Sequence, residues 1–263
     1  MRKNIGLLKN SLYVTIMFGD FMKNILFILS LMFTTILISD NEIYIDQSGT
    51  GANFDIEQMG GSNLIGGLNS SSGATNMTPL DLDGNNMTLD INQIGSSNLF
   101  RGDIWADNYT GFFNFSGSSN SFTIQTDPTD TYSADGSNVN VQVTGASNSL
   151  TLNQANSALA ASLDLDWIIQ GSNNNITSNI NIDGATNYMD IDGSDNTVTY
   201  TGTGTSASSG GYFWLDHTGG QRNFTINQLS TLNNDWLKII SSGGNSASTF
   251  CINQNDQGTA VGC

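Results

Sequence analysis

The sequence predicts an all-β fold, a parallel β-solenoid of about nine two-strand rungs. Three observations predict it. A phrase of Gly, two small or polar residues and Asn keeps returning, apolar and polar residues alternate strictly on either side of it, and the composition suits strands and turns. Only 11% of the 263 residues are charged while 29 are glycine, which leaves too few of the residues that favour helices. Apolar residues reach 38% and fall in alternation, a pattern that a disordered chain has no reason to keep. An antiparallel β-sandwich is the competing all-β arrangement.

Taken in chain order, residues 1–21 read as an upstream extension. Met22, Lys23 and the apolar run Ile25 to Ile38 have the form of a secretory signal peptide. The run falls short of the roughly 20 residues that cross a bilayer, and polar sequence starts at Ser39 and Asp40. Residues 22–39 are therefore expected to be removed, and 40–263 to form the secreted, extracellular or cell-surface protein. No Cys directly follows the run, which argues against a lipoprotein. The exported part keeps Arg101, Arg222 and Lys238 as its only cations against all but one of the chain's 23 acidic residues. Nucleic acid and anionic membranes need clustered Lys and Arg, so neither is expected as a partner.

The repeat begins at Ile43. Its clearest copies are Gln58-Met-Gly60-Gly-Ser-Asn63 and Gln93-Ile-Gly95-Ser-Ser-Asn98. Copies with an apolar lead run Phe115-Ser-Gly117-Ser-Ser-Asn120, Val143-Thr-Gly145-Ala-Ser-Asn148, Ile182-Asp-Gly184-Ala-Thr-Asn187 and Ile191-Asp-Gly193-Ser-Asp-Asn196. Looser ones lie at Gly171 to Asn174 and Gly220 to Asn223. Alternation follows most copies, as in Ser121-Phe-Thr-Ile-Gln125 and Ser149-Leu-Thr-Leu-Asn-Gln154, and marks strands with one buried face. Gly supplies a positive backbone torsion at the turn, and Asn either tolerates the left-handed region or bonds its own backbone. Turns recur about every 11 to 13 residues, so two strands make a rung of about 22 to 26.

A solenoid, unlike a sandwich, stacks like residues into columns whose side-chain amides bond up and down the stack. An Asn column is expected at Asn63, Asn98, Asn120, Asn148, Asn187 and Asn196. A partial Gln column is expected at Gln47, Gln58, Gln93, Gln125, Gln154, Gln228 and Gln254. Thr88, Thr123, Thr151, Thr199 and Thr225 should point outward. Segments 103–110 and 200–212 read as insertions.

No group of residues assembles an acid, a base and a charge stabiliser, so the chain is not expected to be an enzyme. Asp81, Asp83, Asp190, Asp192 and Asp195 read as solvated acids at turns and outward strand positions. Their Asp-x-Asp-Gly fragments lack full calcium-loop spacing, so no metal site or cofactor is expected beyond weak surface calcium. His217, the single histidine, reads as a surface residue. The Thr column suggests ice binding only distantly, because most rungs offer one Thr, and a polysaccharide-active β-helix enzyme is equally distant. Trp167 and Trp236 sit beside apolar residues and read as core, whereas Trp105 and Trp214 read as loop aromatics. Cys251 and Cys263, in an exported chain, are expected to form a terminal disulfide.

The two clearest copies resemble the Gln-x-Gly-x-x-Asn centre of curlin, the repeated subunit of bacterial curli fibres. That family's second Gln appears at its proper offset from Asn148 to Gln154. The resemblance implies an exported β-solenoid that assembles with copies of itself into amyloid-type fibres for surface adhesion or biofilm matrix. It also implies a minor nucleating subunit and an outer-membrane secretion channel as partners. The alternative reading of the residues is a non-polymerising extracellular adhesin that holds glycans through loop aromatics.

Overall fold

The computed structural model describes residues 42–66, 80–126, 136–154, 162–181, 184–203, 211–229, 235–243 and 248–255. The proposed extension, the signal segment and Cys263 lie outside them. Every described element is a strand, turn or bend, and all strand pairing is parallel, which decides for the solenoid over the sandwich.

The chain starts with β1 (Glu42–Ile43) and β2 (Asp46–Ser48), then β3 (Asn53–Met59), β4 (Leu64–Ile65) and β5 (Leu80–Asp83). It continues through β6 (Thr88–Ile94), β7 (Leu99–Trp105), β8 (Thr110–Ser116), β9 (Ser121–Thr126), β10 (Asn138–Thr144), β11 (Ser149–Gln154) and β12 (Asp164–Gln170). The last strands are β13 (Asn175–Asn181), β14 (Thr186–Asp192), β15 (Asn196–Thr203), β16 (Tyr212–Thr218), β17 (Arg222–Leu229), β18 (Trp236–Ser242) and β19 (Thr249–Asn255). Even-numbered strands from β6 to β18 stack with β3 into an eight-strand sheet, called sheet B. The others form sheet A, in which β4 and β5 are two halves of one level against β7, and β1 and β2 two halves of the level before it. Among the described residues, eight full rungs therefore follow one half-rung.

Side chains alternate across each strand. In β10 the pattern is exposed Asn138, buried Val139, half-buried Asn140 and buried Val141, and every other strand of the middle rungs repeats it. The inward residues of both sheets form one core, in which Phe115 stacks on Phe122 and Tyr200 on Phe213 with centroids 3.5 and 4.0 Å apart. Burying one such ring stabilises the fold by about 1.5–3 kcal/mol. The shortest rung is 22 residues, the separation of Asn98 from Asn120 and of Asn174 from Asn196. Longer rungs gain residues mostly where a sheet A strand passes to the next sheet B strand, while the corner from B to A keeps its four residues from Gly60–Asn63 to Gly219–Arg222.

The expected insertion 103–110 is regular structure, and of 200–212 only the two ends lie among the described residues. Asp103 to Trp105 complete β7, a four-residue corner follows, and Thr110 opens β8. Tyr200 to Thr203 belong to β15 and Tyr212 to β16.

Candidate functional site

The corner from sheet B to sheet A is the most regular part of the molecule. Gly95, Gly117, Gly145, Gly171, Gly193, Gly219 and Gly243 each sit directly beneath the carbonyl of the corner glycine one rung earlier. A Cβ at Gly145 would collide with the carbonyl oxygen of Gly117, and the φ of +136° there already disfavours any side chain. Asn63, Asn98, Asn120, Asn148, Asn174 and Asn196 close these corners, all buried. They do not take up the left-handed conformation themselves. The residue before each does, with φ near 60° at Ser62, Ser97, Ser119, Ser147, Asn173 and Asp195.

The Asn ladder also differs from stacked side-chain amides. Each Oδ1 accepts the backbone N–H of the preceding rung's Asn: Asn120 serves Asn98 at 2.8 Å, Asn148 serves Asn120 at 2.9 Å, Asn174 serves Asn148 at 3.0 Å and Asn196 serves Asn174 at 2.9 Å. The Nδ2 groups of Asn148, Asn174 and Asn196 donate to the carbonyls of Gly117, Gly145 and Gly171. Side chain thus binds main chain across rungs, satisfying backbone groups that the sharp corner removes from the sheets.

Gly184 and Asn187 do not belong to this column, and Gly171 and Asn174 take the place expected for them. Gly184 lies at the opposite corner, with φ +66°. Asn187 is the second residue of β14, in register with Leu165 and Phe213 in the core, and neither of its amide atoms has a partner. The spacing misled because the Ile-Asp-Gly-x-x-Asn wording is the same at both corners.

The Gln column divides into several. Gln58 and Gln93 share an inward position of sheet B, where Gln93 Nε2 donates to Gln58 Oε1 at 2.8 Å, the side-chain ladder expected. Further along the same position stand Phe115, Val143, Ile169, Ile191, His217 and Ser241. Gln154, Gln228 and Gln254 share one register column of sheet A, in which Gln228 is buried, while Gln125 faces outward beside Asn153. The outward Thr column holds Thr123, Thr151, Thr177, Thr199 and Thr225. Thr88, expected in it, begins a strand of sheet B instead.

His217 is buried, not a surface residue. Its Nε2–H donates to the Gly193 carbonyl at 3.0 Å and its Nδ1 faces Ser241 Oγ at 3.3 Å. In earlier rungs the corner Asn serves such a glycine carbonyl. Here the corner residue is Arg222, whose Nη1 donates to the carbonyls of Gly219 at 2.9 Å and Ser242 at 3.3 Å, so His217 takes over Gly193. Burial lowers the His217 pKa, and the Arg222 charge lowers it further against the opposing hydrogen bond to Gly193.

The two ends of the stack are the second notable feature. Among the described residues, β3 and β18 end sheet B, while β1 with β2 and β19 end sheet A. Phe250 and Ile252 hold core positions in β19 yet are 42% and 50% exposed, and no further described strand covers them. Cys251 beside them is disulfide-bonded. Trp236, expected in the core, faces outward from β18 and is 41% exposed. Trp167 is buried as expected, and Trp105 and Trp214 stand on strands β7 and β16.

Among the described residues no three His, Cys, Asp or Glu side chains are placed to hold a metal ion, and no helix is long and apolar enough to cross a membrane. Comparison with protein-family models, with curated proteins and with solved structures returned no match to this chain. Among the described residues the chemistry on view is a continuous ladder with two open ends.

Proposed function

We propose that this chain is a secreted structural protein that stacks end to end, rung on rung, into extracellular amyloid-type fibres serving surface adhesion or a biofilm matrix. The observation that carries the reading is the fit between the two ends. Following each column of sheet B from β18 back to β3 pairs Leu237 with Phe54, Ile239 with Ile56, Ser241 with Gln58 and Lys238 with Asp55. Apolar groups would meet apolar groups, and the one cation of the last rung would stand about one strand spacing, roughly 4.8 Å, from a carboxylate. None of the end strands β1, β2, β3, β18 and β19 contains proline, and β19 carries no charge, so the devices that usually blunt a sheet edge are missing from β19. A second copy would satisfy the open backbone groups by continuing the ladder.

The resemblance to curlin supports the same reading and adds a minor nucleating subunit and an outer-membrane channel as proposed partners. The role needs no catalytic group and no cofactor. Thioflavin fluorescence and negative-stain microscopy of the exported protein test it, together with the variant Lys238→Glu, which places like charges at the junction. Unbranched fibres that grow from seeds, and slower growth by Lys238→Glu, are expected. Monomers that persist and never respond to seeds would overturn the proposal.

A further inference from the structure

Outward rings are scattered over most of the surface but gather on sheet B at its last three strands. Tyr188 of β14, Tyr212 and Trp214 of β16 and Trp236 of β18 form a continuous group. Tyr188 meets Trp214 edge to face at 5.3 Å, Trp214 meets Trp236 at 6.2 Å, and Tyr212 meets Trp236 at 6.0 Å. Tyr212 and Trp236 are 49% and 41% exposed. Rings on a solvated sheet face add nothing to the core, so this patch is the part of the surface least explained by folding.

The charges around the rings narrow what would cover them. Asp190 and Asp216 are register neighbours in the adjacent outward column, and Asp166 precedes Tyr188 in the column of rings. The charges acting on Asp190 are those of Asp216 and Asp192, and those acting on Tyr188 are Asp190, Asp216 and Asp166. Like charges side by side across strands repel, so an incoming cation would be drawn there. The face of Trp214 already receives one, because Lys238 Nζ lies 3.7 Å from its centroid. An anionic polymer would be repelled.

We propose that this face of sheet B, from β12 to β18, binds a polysaccharide whose sugars carry free amines, of the glucosamine type. The exposed rings of Tyr212 and Trp236 offer platforms to the apolar faces of the sugars, Asp190 and Asp216 accept hydrogen bonds from hydroxyls and ammonium groups, and the strip runs across strands so that a linear chain can follow it. The inference does not depend on stacking into fibres, since the strip lies on the side of the solenoid and is complete in one copy.

Quenching of tryptophan fluorescence by hexaglucosamine, titrated into the exported protein, tests it. Saturable quenching is expected, weakened by about twofold to fivefold, the worth of an exposed cation–π contact, when the oligomer is N-acetylated or when Trp214 and Trp236 are both changed to Ala. Asp190→Asn with Asp216→Asn should weaken it similarly while keeping every ring, which covers the case of an aromatic variant that folds poorly. Glu57→Gln with Asp90→Asn, at the other end of the same sheet, where the one neighbouring ring is Phe112, should leave it unchanged. Absence of saturation, equal binding of the acetylated oligomer, equal binding of hexalysine, or an equal loss from the Glu57 and Asp90 changes would each overturn the proposal.

Discussion

Asn148 and Asn187 are the same residue type, both buried, 1% exposed, and with opposite roles. Asn148 serves the Asn120 N–H and the Gly117 carbonyl, so Asn148→Leu orphans two buried main-chain groups and should cost about 1–3 kcal/mol for each. Asn187 has no partner for either amide atom, and Asn187→Leu should raise stability by about 1–3 kcal/mol, because it replaces an unpaired polar group by an apolar one among Leu165 and Phe213. Urea unfolding of the two variants beside the parent checks both signs. His217 adds a pH effect. Its pKa is lowered in the fold, so its contribution is fully present above the unfolded value of about 6.5. Below that pH the unfolded chain takes up a proton that the folded chain refuses, and stability falls until the folded pKa is passed. His217→Gln restores the residue found at this position in β3 and β6 and should remove that fall. Asp166 and Asp190, whose pKa values are raised by burial and neighbouring carboxylates, work in the opposite direction at lower pH and are common to both proteins. The single-letter spelling of a corner was legible in the sequence, but its bonding was not. Each Asn's partner lies 22 to 35 residues away, and only the register says which rung it meets.

At the scale of elements, the strands and the Gly-x-x-Asn corners could be read directly, since alternation of period two and a fixed turn chemistry are local signals. What could not be read was which corner a phrase occupied, because both corners admit Gly and Asn and differ only in what stacks beneath them. Trp236 escaped for a related reason: its apolar neighbours Leu237 and Ile239 face inward while it faces out, and one residue of register decides the side. The half-rung β1 and β2 has a mechanical consequence under the proposed stacking. Sheet A holds one level more than sheet B, so a junction that continues both sheets would set β3 of the next copy on β18 and its β4 and β5 on β19. Those edges of β4 and β5 are now covered by the copy's own β1 and β2. The half-rung would then act as a removable cap, and deleting residues 42–50 should shorten the lag before fibres form. Lag times of the truncated and parent proteins at equal concentration measure this, and a longer lag for the truncated protein would make β1 and β2 a seat for the next copy.

The whole molecule has a net charge of −16, and its described strands form a ladder open at both ends. Such charge keeps copies apart in solution and opposes stacking, and acidification toward the isoelectric point near 4.1 should speed it. The uncharged interior and the corner columns make every rung a template for the next, which is the property that the proposed fibre uses. The side of sheet B would remain open along such a fibre, so that its ring patch would recur once per copy. The most direct measurement is mass per unit length of the fibres by scanning transmission electron microscopy. Eight sheet B levels per copy at about 4.8 Å each predict one chain per about 38 Å of fibre with the half-rung displaced. A repeat of one chain per several molecular widths, or two or more chains per 38 Å from laterally associated stacks that never lengthen by ends, would contradict end-to-end stacking.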